Sequence, residues 1–336
     1  MARVIAIFNQ KGGVGKTTTA MNVSGYLAML GIKTLLIDFD SQFNATVGLG
    51  VKHGEDETIY HALLGGKDPS QVIRSTYLAG LDIVPASSDL AGALIELVSI
   101  SDREYLLKKF VDKIRDRYEY IFIDMGPSLN LLTINGLLAA DEVIIPVQCE
   151  YYSLEGIAQV LETIDLIQKN LRHPVKVGGA LLTMYDKREK LSREIAREIR
   201  RKFPYHVYDV EIPRSVSLAE APSFQKPIML YAPQSPGAIA YESFARELIG
   251  MKEQRETEIS AFQKSVYPEE LLPDANKFVV KNPYEADIKE IDYEIEKILA
   301  PNGDIDEPPL VLMIHDHGDG EEYADNESVS SGVFAF

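Results

Sequence analysis

The chain predicts an α/β fold, a doubly wound and mainly parallel sheet with helices on both faces. Three observations point to it. Short runs rich in valine, isoleucine and leucine recur along residues 1–250, separated by longer segments of helical periodicity. Those runs are continuously apolar, as strands covered on both faces are. A glycine-rich turn joins the first run to the first amphipathic segment, and aspartates close two later runs. Ligand crevices in such sheets open at the carboxyl ends of the strands.

Taken in order, residues 3–8 (Arg-Val-Ile-Ala-Ile-Phe) form the first predicted strand, and strands follow at 34–38, 81–85, 120–124, 142–146 and 176–183. Helical periodicity occupies 16–30, 89–97, 102–116, 130–139, 154–170, 189–202 and 237–250. Strands alternating with helices of this length form parallel βαβ units. The pattern changes near Met251. The predicted organisation is one domain over 1–250 followed by an acidic extension over 251–336, partly helical and partly disordered. Its helical part, 284–299, sets Ile288, Ile291, Ile295, Ile298 and Leu299 on one stripe. Residues 301–336 carry nine acidic residues and no lysine or arginine, a composition that does not pack a core.

Of the 336 residues, 34 are Lys or Arg and 51 are Asp or Glu, a net charge of −17. The charge is unevenly placed. Residues 251–336 hold 7 basic and 21 acidic residues, a net of −14, which leaves −3 for residues 1–250. The acidity of the whole chain therefore says nothing against nucleic-acid binding by the body. A single cysteine, Cys149, excludes an intramolecular disulfide framework and fits a reducing compartment. The first residues run straight into a strand, without the charged and apolar regions of a secretory signal, and no window of about 18 apolar residues spans a membrane. A soluble cytoplasmic protein is expected.

Residues 10–18 read Gln-Lys-Gly-Gly-Val-Gly-Lys-Thr-Thr. Between a strand and a helix N-terminus, such a loop is a phosphate cradle. Its free N–H groups (Gly12, Gly13, Val14, Gly15, Lys16, Thr17 and Thr18) and the helix dipole both favour an anion. Lys16 reaches β- and γ-phosphates, and the Thr17 hydroxyl ligates Mg²⁺. The common spacing G-x-x-x-x-G-K-[ST] would put glycine at position 10, where this chain has Gln10; a second lysine, Lys11, opens the loop instead. Asp38 and Asp40 end one strand, and Asp124 ends another. Phosphoryl transfer requires a metal, an oriented water and cations on the developing charge. Asp124 suits the metal, directly or through water, and Asp40 suits the water; alternatively, strand-end aspartates simply cap the following turns.

The stretches Lys-Gly-Gly-Val-Gly-Lys-Thr-Thr-Thr, Asp-Phe-Asp-Ser-Gln-Phe-Asn-Ala-Thr and Ile-Asp-Met-Gly-Pro-Ser-Leu resemble the deviant Walker A, A′ and B motifs of ParA/MinD-type ATPases. Residues 139–155, 181–186 and 211–222 resemble the chromosomal ParA (Soj) branch. The resemblance covers about residues 2–250. It implies a P-loop fold, ATP and Mg²⁺ as cofactors, and slow hydrolysis within an ATP-bound homodimer. It also implies non-specific binding of duplex DNA, discharge by a ParB-like activator, and a cytoplasmic, nucleoid-associated role in segregating chromosome or plasmid DNA. By resemblance Lys11 is the signature lysine, reaching the partner subunit's phosphates, while Met184 and the 211–214 segment with Pro213 line the adenine. Arg188 matches a DNA-contact position. It opens a basic stretch with Lys190, Arg193, Arg197, Arg200 and Arg201, net about +4 over 186–202. Such a stretch neutralises phosphates, or it is an exposed helix laced by its own ion pairs.

Several positions depart from the family. Ser41-Gln42-Phe43-Asn44 stands for Pro-Gln-Gly-Asn, Gly126 replaces a proline, and Ser217 and Gln234 are neutral where the Soj branch is usually basic. Phe43 packs at a dimer or activator surface, or fills local core. A competing reading is a nucleotide-switched adaptor that positions a protein cargo through the tail, with weak or no DNA binding. The tail itself is a docking segment for an unknown protein, a self-inhibitory segment over the basic patch, or a solvated appendage. Iron–sulfur reductases of this superfamily need two cysteines per subunit, its tyrosine kinases a terminal tyrosine cluster, and MinD-like members a basic membrane helix; this chain has none of these.

Overall fold

The computed structural model describes residues 1–151 and 153–250. The extension predicted over 251–336, with its helix at 284–299, lies outside the described residues. Eight strands form one sheet: β1 (Arg3–Ile7), β2 (Thr34–Phe39), β3 (Arg74–Ser75), β4 (Leu81–Val84), β5 (Tyr120–Met125), β6 (Glu142–Gln148), β7 (Lys176–Tyr185) and β8 (Val207–Pro213). Their spatial order is β3-β4-β2-β5-β1-β6-β7-β8. All neighbours are parallel except β3 against β4. Side chains of successive β1 residues enter opposite layers: Val4, Ala6 and Phe8 pack into one apolar core, Ile5 and Ile7 into the other. Both faces are thus buried, which is why the strands read as unbroken apolar runs.

The doubly wound prediction holds. The six expected strands and seven expected helices are present with shifted ends, and two strands were not foreseen. β3 is only two residues long. β8, Val-Tyr-Asp-Val-Glu-Ile-Pro, is an edge strand whose polar residues interrupt its apolar ones. The helix expected over 102–116 breaks into a 3₁₀ turn (Arg103–Tyr105), a helix (Leu106–Asp112) and a second 3₁₀ turn (Arg115–Arg117). Among the described residues, no helix is long and apolar enough to cross a membrane.

The free edge of β8 is closed by side chains from two helices. Glu247, on the helix Pro236–Leu248, accepts hydrogen bonds from the Asp209 and Val210 N–H groups at 2.7 and 3.1 Å. Arg200, on the helix Lys190–Lys202, donates to the Tyr208 and Asp209 carbonyls at 3.0 and 3.2 Å. Backbone groups that another strand could pair with are thereby occupied.

Candidate nucleotide site

The chain leaves β1, passes through the glycine loop and enters the helix Lys16–Met29. Gly13 and Gly15 take φ of 74° and 90°, the left-handed region that favours glycine. This turn lets the helix begin directly at Lys16, with its first N–H groups facing the crevice. Thr183 at the end of β7 pins the loop by donating to the Val14 carbonyl at 2.8 Å. The Lys16 amine folds back onto the Lys11 carbonyl at 3.0 Å, and burial lowers its pKa against the pull of Asp124 and Asp40. The Lys11 amine turns the other way, to Glu150 at 3.1 Å, and Arg214 approaches the same carboxylate at 3.7 Å.

Register brings the acidic groups together. Asp38 and Asp124 sit side by side on adjacent parallel strands, both fully buried. Asp38 is held in place: its Oδ2 accepts from the Thr46 N–H and hydroxyl at 2.8 and 2.7 Å. Asp124 is not: neither of its oxygens meets a partner in hydrogen-bond geometry, although the Thr17 hydroxyl lies close enough to favour its charged form. Burial raises the pKa of both, and their mutual repulsion raises that of Asp124 further; the nearby Thr17 hydroxyl and Lys16 amine pull the other way. Asp40 accepts from the Gln42 N–H at 3.0 Å, and burial raises its pKa too.

A buried carboxylate without a partner is costly in a folded protein. Beside a helix N-terminus, a lysine and the Thr17 hydroxyl, that cost marks a place for a cation. The residues fit Mg²⁺, which takes oxygen ligands and keeps several waters and phosphate oxygens rather than an all-protein cage. No group of three or more His, Cys, Asp or Glu able to hold a metal occurs among the described residues.

In front of the loop lies a cleft of about 560 Å³. One end is lined by Gly12, Gly13, Gly15, Lys16, Thr17 and Thr18. The other is an apolar wall that includes Met184, Ile212, Pro213 and Leu218. Size and lining suit a small ligand with an anionic end and a flat apolar end. Met184 and the 211–214 segment, expected there from the resemblance, do line the cleft through Met184, Ile212, Pro213 and Arg214, whereas Leu218, Thr183 and Tyr241 were not foreseen. Tyr241 is positioned by a 3.0 Å hydrogen bond to Thr19. Only the place of Thr183 near a strand end, of Leu218 on the short helix Val216–Glu220 and of Tyr241 on the final helix could have signalled them. Val14 contributes backbone alone, its side chain being buried.

The basic residues do not form one uniform face. Lys190, Arg197 and Arg201 are exposed on the helix Lys190–Lys202, and Arg188 is exposed just before it. Arg193 turns back onto the Lys187 and Arg188 carbonyls at 2.7 and 3.0 Å, and Arg200 is drawn to β8. Arg188 pairs with Asp186, Lys190 with Glu194, and Arg201 with Glu198. Phe43, one of the departures, has φ of 42° and packs partly buried against the core.

A strand, a glycine loop with left-handed turns and a helix N-terminus, flanked by buried aspartates of two neighbouring strands, define a P-loop nucleotide-binding protein of the doubly wound class. A family model described as an AAA domain matches residues 2–177. The sporulation initiation inhibitor protein Soj of Bacillus subtilis (strain 168) is 48% identical over 249 residues, 74% of this chain and 98% of that protein. The chromosome-partitioning ATPase Soj of Treponema pallidum (strain Nichols) is 46% identical over 255 residues, 76% of this chain and 100% of that protein. Among solved structures, cobyrinic acid a,c-diamide synthase from Mycobacterium smegmatis, with bound ADP and magnesium, superposes with a TM-score of 0.65 at 37% identity, covering 74% of this chain and 94% of that one. The chain belongs to the Soj/ParA family of chromosome-partitioning ATPases.

Proposed function

We propose that this protein binds ATP with Mg²⁺ in the cleft and hydrolyses it slowly as a homodimer. In its ATP state it binds duplex DNA without sequence preference, and a ParB-like partner discharges it to segregate chromosome or plasmid DNA. The observation that carries the reading is Asp124, buried without a hydrogen-bond partner beside Thr17 and Lys16 at the mouth of the phosphate loop.

Residues 12–18 offer backbone N–H groups to the phosphates, and Lys16 exchanges the Lys11 carbonyl for a phosphate oxygen. Thr17 and Asp124 hold Mg²⁺, which neutralises charge on the phosphates when bound. Asp40, its carboxylate oriented by the Gln42 N–H, aligns the attacking water. Lys11 leaves Glu150 to reach the phosphates of the partner subunit, a cation that arrives only on dimerisation. Met184 and Pro213 pack beside the base. Arg188, Lys190, Arg193, Arg197 and Arg201 neutralise DNA phosphates; Arg200, bound to β8, is withdrawn from that role unless it lets go of the strand. The competing reading, an adaptor with little DNA binding, draws support from neutral Ser217 and Gln234 and from the ion pairs that already occupy Arg188 and Arg201.

Sedimentation velocity with ADP and with ATP, with and without duplex DNA, tests the proposal. The expected result is an ATP-dependent dimer that co-sediments with DNA at low salt. Lys11→Ala should retain ATP binding and lose dimerisation or turnover. Wild-type protein that stays monomeric with ATP refutes the dimer, a Lys11→Ala variant with neither defect refutes the trans role, and no DNA retention at low salt leaves the adaptor.

A further inference from the structure

The helix Lys190–Lys202 buries Ser192, Ile195, Ala196 and Ile199 and turns its other side to solvent. That side carries Lys190, Arg197, Arg201 and Lys202, interleaved with Glu194 and Glu198 and with Leu191 half exposed among them, so that cations outnumber acids. Lys187 and Arg197 have no ion-pair partner among the described residues. The pairs made by Lys190, Arg201 and Lys202 are surface pairs within the helix, worth little and easily exchanged. A cationic face with one apolar residue is thus available to an anionic, partly apolar occupant.

The rest of the chain departs from beside this face. Glu247, three residues before the last described residue, binds the Asp209 N–H, and Arg200 of the basic helix binds the Asp209 carbonyl. One residue of β8 therefore links the point of exit to the last turn of the basic helix. The 86 residues that follow Gly250 carry the net −14 of residues 251–336. Within 284–299, six acids (Glu285, Asp287, Glu290, Asp292, Glu294 and Glu296) flank the isoleucine stripe on both sides at helical spacing and outweigh Lys289 and Lys297, a net of −4. The 33 residues between 250 and 284 span roughly 30 Å as a flexible chain, against about 20 Å for a 13-residue helix. Relatives of about 250 residues match the body alone, leaving about a quarter of this chain without a counterpart.

We infer that residues 284–299 dock in cis on the outward face of the helix Lys190–Lys202. Their carboxylates lie against Lys187, Lys190, Arg197 and Arg201, and their apolar stripe covers Leu191. The tail then occupies the cations that DNA phosphates would use, so the docked chain is the DNA-released form. Tethering at an effective concentration of order millimolar makes even a weak contact, with an intrinsic Kd of about 0.1 mM, lower DNA affinity about tenfold. The docking stands apart from the DNA-binding reading; only the competition rests on it.

The test is zero-length carbodiimide crosslinking of the full chain at low salt, read by mass spectrometry on an equal mixture of heavy- and light-isotope protein. Expected are crosslinks between 285–296 carboxylates and Lys187, Lys190 or Lys202 within one isotope label, lost at about 0.5 M salt as screening shortens the reach of the charges. No crosslinks at low salt overturns the inference, and crosslinks joining heavy to light chains reassign the occupant to a second copy and overturn the cis assignment. The full-length variant Glu285→Gln, Asp287→Asn, Glu290→Gln, Asp292→Asn, Glu294→Gln, Glu296→Gln should lose the crosslinks and bind duplex DNA about tenfold more tightly with ATP. Crosslinks in the wild type with no DNA binding by either protein uphold the docking and refute DNA binding. Equal DNA affinity in both proteins overturns the competition.

Discussion

Replacing Asp124 with asparagine should stabilise the nucleotide-free protein and at the same time remove its response to Mg–ATP. Both carboxylate oxygens of Asp124 are buried and unpartnered, and Asp38 repels them across one register step. Asparagine keeps the shape and removes the charge. Leaving a buried polar group unsatisfied costs about 1–3 kcal/mol and more when it is charged; the buried amide stays unsatisfied, so the exchange recovers only the excess due to the ionised carboxylate, on the order of 1–3 kcal/mol. Lys16 retains Asp40 and the Lys11 carbonyl as partners, which limits the loss on the cationic side. For a body of 250 residues, each kcal/mol moves Tm by about 2–4 °C, giving a rise of roughly 2–12 °C. The sign with pH follows from the raised pKa values of Asp38 and Asp124. The folded protein holds protons that the unfolded chain has released, so stability is lost as pH rises from the ordinary carboxylate range through the raised values. The variant should show a flatter profile. Scanning calorimetry in EDTA, then with Mg–ATP, over a range of pH decides the matter. A variant with lowered apo Tm, or one that Mg–ATP still stabilises as it does the wild type, refutes a metal-holding Asp124.

Four further outcomes can be measured directly. Phe43→Ala should be less stable in urea than Phe43→Gly by about 1 kcal/mol, since both lose the ring but only glycine accepts φ of 42° freely; equal stabilities would refute backbone strain there. The Cys149 thiol, pushed up to about 12 chiefly by burial, should resist a disulfide reagent at pH 8 in the folded protein and react at once in denaturant. Arg197→Ala should leave urea stability unchanged and reduce the salt dependence of DNA binding by about one ion. Arg200→Ala should lower stability, because it frees two β8 carbonyls; equal stability of the two variants contradicts the structural assignment of Arg200.

What could be read from the sequence was what is local. Residues 10–18 lie within one strand–turn–helix unit, and their spacing alone defines the phosphate loop. Asp38, Asp40 and Asp124 were recognisable as strand-end acids, but nothing local tells Asp38, bound by Thr46, from Asp124, left bare. That difference arises from tertiary placement. The Lys11–Glu150 pair spans 139 residues and needs β6 beside β1 before it exists. β8 is hard to see in the sequence because an edge strand carries Asp209 and Glu211 among its apolar residues, which breaks the continuous apolar run of the central strands. Arg200 looked like its neighbours in sequence, yet the position of β8 gives it a different task.

With β8 sealed by Glu247 and Arg200, and the opposite margin ending in the two-residue β3, the sheet offers little to extend it. Under the proposed cycle, subunits that come together and part once per turnover would have to do so without annealing backbone to backbone, a union that would be slow to undo. Blunted margins would leave such association to surfaces that nucleotide chemistry can dissolve.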